Sequence, residues 1–137
     1  GQVTKIVVLA FGYTLYTPPV PTFSDVPPDS PFYSYVETAV RGGIVSGYAD
    51  GTFRPGNDVT RGQFSKIVVV AAAWTLLNPP VPTFSDVPPD HPFYTYVETA
   101  LSHSVIAGYA DGTFLPNYSA RRGQIAKIVY LAVDGGK

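Results

Sequence analysis

The sequence predicts a mainly α-helical protein of tandem helix-loop-helix repeats, and three observations predict it. The first is an internal repeat: Phe23-Ser24-Asp25-Val26-Pro27-Pro28-Asp29 recurs as Phe84 to Asp90, and residues 23–61 agree with 84–122 at 24 of 39 positions without a gap. The second is apolar spacing at i and i+3/4 in two segments of each unit, the period of a helix with one buried stripe. The third is punctuation by Gly and Pro at the same places in each unit, where neither helix nor strand continues easily.

The elements follow in order. Residues 1–22 align with 62–83, so the chain opens in mid-repeat. It divides into 1–22, the second half of a first repeat with its Pro-rich connector; 23–83, a complete repeat with connector; and 84–137, a final repeat. Gly1 carries no leader pattern before it, which reads as a processed mature form or a fragment. Within a unit, Asp29-Ser30-Pro31 offers a capping residue and an early proline. Phe32, Tyr35, Val36, Ala39 and Val40 then form a helical stripe, which Gly42-Gly43 ends. Gly47 to Pro55 has turn chemistry around Asp50-Gly51 between Tyr48 and Phe53, an ordered loop with a few residues of strand. Thr60-Arg61-Gly62-Gln63 is a capping box opening an apolar helix from about Arg61 to Leu76, buried nearly all round, with Trp74 on its face. Asn78-Pro79-Pro80-Val81-Pro82 cannot continue it and runs extended to the next unit.

Composition removes several functions. With 9 Lys+Arg scattered against 10 Asp+Glu there is no basic field for nucleic acid. No Cys and only His91 and His103 leave no thiolate nucleophile, zinc cluster or disulfide. His91 replaces Ser30, and His103 replaces Gly42, so both read as surface positions rather than ligands. The longest nearly apolar run, Ile67 to Leu77, is far below the ~20 residues of a bilayer span. Glu37 and Glu98 are repeat-related, which places them in separate grooves and not at the ~5–10 Å separation of a glycosidase pair. The sequence therefore predicts a non-enzyme without metal or cofactor.

Phe-Ser-Asp-Val-Pro, an aromatic-bearing helix, Gly-Tyr-Ala-Asp-Gly-Thr-Phe-x-Pro at 47–55 and 108–116, and Thr60-Arg61 or Arg122 at fixed spacing resemble the S-layer homology (SLH) family over essentially the whole chain. The resemblance implies repeats packed as a pseudo-threefold helical bundle. It also implies an extracellular place at the cell wall or S-layer, with binding to secondary cell-wall polysaccharide, often pyruvylated. The family's Thr-Arg-Ala-Glu reads Thr60-Arg61-Gly62-Gln63 in one unit and Arg121-Arg122-Gly123-Gln124 in the last. Its first-helix tryptophan is replaced by Phe32, Tyr33 and Tyr35 and by their counterparts Phe93, Tyr94 and Tyr96.

Arg61 and Arg122 are the leading ligand contacts, since a guanidinium at a helix N-terminus can fork onto a carboxylate beside free N–H donors. The alternative is a structural salt bridge from each Arg to its Asp-Gly loop. Gly62 and Gly123 would let a ligand approach closely, with Gln63 and Gln124 beside them. Tyr48, Asp50, Tyr109 and Asp111 offer a sugar stacking faces and acceptors, or else fill core and cap their own turns. Asn117-Tyr118-Ser119 fits a glycosylation acceptor, and Thr22 and Thr83 could carry O-linked sugar.

Two functions follow. One is a non-catalytic module anchoring a protein to envelope polysaccharide; Arg61→Ala with Arg122→Ala is then expected to abolish wall binding with folding intact. The other is a self-assembling S-layer or filament subunit. It rests on apolar surface left uncovered at Val3, Ile6, Val7 and Ala10 of the first half-repeat, which head-to-tail packing would cover.

Overall fold

The computed structural model describes residues 1–135, apart from the side chain of Arg122. Among the described residues there are five helices: α1 (Gln2–Ala10), α2 (Tyr33–Arg41), α3 (Arg61–Ala72), α4 (Tyr94–Ser102) and α5 (Arg122–Gly135). Among the described residues there is no strand, only an isolated antiparallel bridge between Thr60 and Ser119. The expected strand residues at 47–55 form a turn at 49–51 flanked by irregular chain, because Asp50-Gly51 closes the chain too tightly for a ladder to extend. The chain forms two compact units, Gly1–Asn57 and Asp58–Lys137.

In the first unit α1 packs on α2; in the second α3 packs on α4, and α5 on α3. Helices thus pair across the repeat boundary, the second helix of one repeat on the first helix of the next. This corrects the expectation of an uncovered α1. Val7 and Val8 are fully buried, Val3 and Ala10 half-buried, and only Ile6 of the four expected residues is exposed.

The first helix of each repeat starts later than its sequence suggests. Ser30 caps no helix; its Oγ accepts from the Phe32 N–H at 3.2 Å inside a turn, and α2 begins at Tyr33 without a side-chain cap. His91 Nδ1 does the same for the Phe93 N–H at 3.0 Å, so this half-buried histidine inherits a turn acceptor's role. The later start turns Tyr33 inward, 2% exposed, in place of Phe32 and Tyr35. Phe23, Val26, Tyr33 and Val36 form a core cluster with Phe32, Val40 and Phe53 against it. Gly47 lies under the Phe23 ring, where a Cβ would stand 2.1 Å from Cε1; Gly108 and Phe84 repeat the arrangement. Gly42 caps the C-terminus of α2, as expected.

The Pro-rich connectors are tied to these helices by buried carboxylates. Glu37 Oε2 and Oε1 accept from the Thr22 N–H at 3.0 Å and its hydroxyl at 2.6 Å, and Glu98 repeats this with Thr83 at 3.0 and 2.7 Å. Tyr33 and Tyr94 donate their hydroxyls to Pro18 and Pro79 carbonyls at 2.6 Å. Burial, then the neighbouring glutamate, pushes both phenols above their ordinary pKa. A carboxylate is the fitting acceptor here because two donors converge on it from a segment that has no secondary structure to satisfy them. The hydroxyls of Thr22 and Thr83, candidates for O-linked sugar, are engaged in these bonds.

The capping box of α3 forms as its sequence predicts: Thr60 Oγ1 accepts from the Gln63 N–H at 3.1 Å, and Gln63 Oε1 from the Thr60 N–H at 3.0 Å. The helix ends at Ala72, four residues short of Leu76, because Ala73 turns left-handed at φ 57°. Its repeat counterpart Gly12 has φ 71°. The turn throws Trp74 off the helix onto the exposed ring of His103, stacked at 3.8 Å. A left-handed alanine costs about 1–2 kcal/mol, partly offset by the greater unfolded-state freedom of glycine. Ala73→Gly is therefore expected to stabilise the protein by about 0.5–1 kcal/mol, read as a rise in the midpoint of urea unfolding.

Candidate functional site

Each Gly-Tyr-Ala-Asp-Gly-Thr-Phe loop is closed by backbone bonds from Tyr48 N–H to the Thr52 carbonyl at 2.8 Å and from Gly51 N–H to the Tyr48 carbonyl at 3.1 Å. It is then clamped by the aspartate of Phe-Ser-Asp-Val-Pro. Asp25 accepts from the Phe53 and Arg54 N–H groups, both at 2.8 Å, and Asp86 from those of Phe114 and Leu115, both at 2.8 Å. The clamp holds Arg54 and Leu115 at φ 60° and 59°, a conformation unfavourable to either residue. Sequence reasoning assigned Asp25 and Asp86 no role, although their repetition at fixed distance from the loop was the available signal.

Asp50 and Asp111 serve their own turns. Each accepts from the N–H of Thr52 or Thr113 at 3.1 Å and from its hydroxyl at 2.6 Å. Asp50 also pairs with Arg54 at 3.4 Å, and the Arg54 guanidinium lies 3.8 Å from the centre of the Tyr48 ring. Tyr48 and Tyr109 remain 43% and 45% exposed, with ring surface open to solvent.

The loops predict an acid sensitivity. The Phe53 N–H is the main cause holding the Asp25 carboxyl below its ordinary pKa, and the threonine hydroxyls do the same for Asp50 and Asp111. Carboxyls with depressed folded-state pKa values contribute stability above the unfolded value, near 3.9, and lose it as pH falls through the folded value. The melting temperature is expected to be flat from pH 5 to 8 and to fall steadily below about pH 4. Asp25→Asn should flatten that acid limb in thermal scans across pH.

Arg61, the first residue of α3, is 9% exposed. Its Nε donates to the Phe114 carbonyl at 2.9 Å and Nη2 to the Ala107 carbonyl at 3.0 Å, while the guanidinium lies 4.4 Å from the centre of the Phe114 ring and 5.1 Å from that of Tyr109. These bonds go to carbonyls flanking the Asp111-Gly112 turn of the following repeat, whereas the expected salt bridge is to the Asp-Gly loop of Arg61's own repeat, whose Asp50 pairs with Arg54. The guanidinium works as a brace between α3 and the loop.

Beside this brace lies a cavity of about 280 Å³. One wall is Arg61, Phe64 and Ser65 of α3; another is Ser104 to Ala107 after α4, with Phe114; the third is Ala120 with Gln124, Lys127, Ile128 and Leu131 of α5. Its lining carries two cations and no carboxylate, so it favours an anionic or hydroxyl-rich occupant with an apolar face. Of the predicted residues it gathers Arg61 and Gln124. Gln124 Oε1 also accepts from the Arg121 N–H at 3.0 Å, half of a capping box. Gln63 is exposed and spent in its own box. Lys127, Phe64, Ser65 and the 104–107 segment escaped sequence reasoning; the signal for Lys127 was its recurrence as Lys5 and Lys66.

Gly62 does not face open space. A Cβ there would meet Phe93 Cδ2 at 2.6 Å, and its N–H donates to the Pro116 carbonyl at 2.9 Å, so its smallness serves packing. A Cβ on Gly123 would meet nothing within 4 Å. The predicted Arg122 side chain lies outside the described residues. Asn117 is exposed in a turn.

The sequence model of the S-layer homology domain matches residues 22–65 and 83–126, more than half of the chain and both loop-and-arginine segments. The chain belongs to the S-layer homology family. Its SLH repeats are also similar to cell surface glycoprotein 1 of Acetivibrio thermocellus, 29% identical over 111 residues covering 74% of this chain and 5% of that protein. The cellulosome-anchoring protein of the same organism is 27% identical over 96 residues, 68% of this chain and 22% of its own length. The SLH chain thus spans a small part of these relatives. Its repeats place it at the cell surface or cell wall. Among the described residues no helix is long and apolar enough to cross a membrane.

Proposed function

We propose that this SLH chain is a non-catalytic module that binds cell-wall polysaccharide and so holds a protein to the cell envelope. The observation that carries this reading is the cavity beside Arg61, which combines an apolar wall of Phe64, Ile106, Phe114, Ile128 and Leu131 with Gln124, Ser65, Ser104 and two cations. A sugar presents an apolar ring face and hydroxyls, and an acidic substituent would find Lys127 at the cavity wall. The anchoring relative supports the same reading. No carboxylate lines the cavity, and Glu37 and Glu98 are occupied by threonine donors, so hydrolytic chemistry has no acid or base there.

The test is sedimentation of the protein with isolated wall sacculi, before and after removal of their secondary polysaccharide. Pelleting is expected only with polysaccharide-bearing walls. Lys127→Glu, an exposed change, should lower wall binding at least about tenfold with an unchanged melting temperature. Equal pelleting with stripped walls would overturn the proposal, and pelleting without walls would favour the self-assembling subunit.

A further inference from the structure

In the second unit, α3 and α4 are each followed by a left-handed residue that is not glycine. Ala73 has φ 57° and Ser104 φ 60°, where the first unit has Gly12 and Gly43, both at φ 71°. Bonds from the Trp74 N–H to the Val69 carbonyl at 3.2 Å and from the Val105 N–H to the Ala100 carbonyl at 3.3 Å close the two helix ends in the Schellman manner, whose left-handed position favours glycine. Each strained residue adjoins one ring of the Trp74–His103 stack, whose planes lie 3° apart. At these positions the first unit has neither strain nor stack, because Gly42 stands in place of His103. Strain kept on both sides of one contact points to a contact with a function.

The stack holds the segment that follows α4. Ser104 to Ala107 form one wall of the cavity beside Arg61, and Val105 and Ile106 are buried in it. The far end of this wall is tied to α3 by the bond from Arg61 Nη2 to the Ala107 carbonyl at 3.0 Å. At the near end His103 directly precedes Ser104, and its ring lies on Trp74. The connector carrying Trp74 is itself fixed to α4 by the bond from the Leu77 N–H to Thr99 Oγ1 at 2.8 Å, so the indole is a firm platform. Neither ring lines the cavity. We propose that Trp74 and His103 are positioning residues of this cavity: their stack fixes Ser104 to Ala107 in the place where the wall meets a cell-wall polysaccharide. The inference rests on the polysaccharide reading of the cavity, which one arm of the test checks separately. A wall fixed beforehand spares the bound state the cost of ordering it, so the stack raises affinity without touching the ligand.

The test uses the full chain and sacculi with and without their secondary polysaccharide. Wild-type pelleting only with polysaccharide-bearing walls checks the reading; without it, reading and inference fail together. His103→Ala removes the stack at an exposed position. It is expected to weaken wall binding at least about fivefold and to speed amide exchange at residues 105–107 at least about fivefold, with exchange at 66–69 in α3 unchanged. Trp74→Ala should reproduce both effects. His103→Tyr keeps a ring for the indole and should restore binding to within about twofold of wild type. Wild-type binding that His103→Ala leaves unchanged would overturn the inference alone. So would His103→Tyr binding as weakly as His103→Ala, since the imidazole's own donors or charge would then be decisive. Exchange that rises equally in α3 would mean a loosened fold instead of a displaced wall, and would overturn it as well.

Discussion

Arg61→Ala is expected to destabilise the protein by about 3 kcal/mol, lowering the melting temperature by about 10 °C. The guanidinium is nearly buried and supplies donors to the carbonyls of Phe114 and Ala107. Alanine leaves both carbonyls without them and opens a void under two aromatic rings. Thermal unfolding by circular dichroism measures this directly. A variant as stable as the wild type would show that the brace is dispensable. The result bears on how the cavity is tested: if Arg61→Ala loosens the loop, its loss of wall binding reports folding as much as ligand contact. This corrects the expectation that the arginine changes leave folding intact and makes Lys127→Glu the cleaner probe.

Glu98→Ala should cost about 3 kcal/mol through a different route. The carboxylate is 6% exposed and is the acceptor for two donors of Thr83. Without it, a connector that has no ladder of its own is held by bonds such as those from Leu77 N–H to Thr99 and from Tyr94 to Pro79. Glu98→Gln retains one acceptor and should fall between the two, about 1–2 kcal/mol. Urea unfolding of the three proteins checks the order. If glutamine proved as damaging as alanine, charge rather than acceptor number would be the decisive property.

The sequence showed the repeat, which aligning the chain with itself reveals, and the α3 capping box and the glycine end of α2, each of which depends on residues a few positions apart. What it hid were features decided by partners distant in the chain, or by a local choice that the residue types leave open. The true start of α2 depends on Ser30 turning back to the Phe32 N–H, and a serine before proline looks the same whether it caps a helix or a turn. The end of α3 was hidden because Ala73 is a strong helix former held left-handed by the fold; only comparison with Gly12 betrays it. Among candidate site residues, Arg61 was found for its type but its bonding partners lie 46 and 53 residues away. Gly62 reads locally as room for a ligand because the ring of Phe93 that fills it is invisible to local pattern.

The pairing of α1 with α2 and of α3 with α4 puts the units of folding half a period out of phase with the units of sequence. A gene segment encoding one 61-residue repeat carries one half of two interfaces, not a self-contained body. Because the repeats share the glycine, lysine and aromatic residues that meet at these interfaces, duplicating that segment creates two matching halves at once, and an array can lengthen without any new surface having to evolve. The same phase relation sets a rule for exchange between proteins: a transplanted repeat must match its neighbours at the glycine-and-phenylalanine contact, so substitutions at positions 62 and 93 should vary together along such arrays.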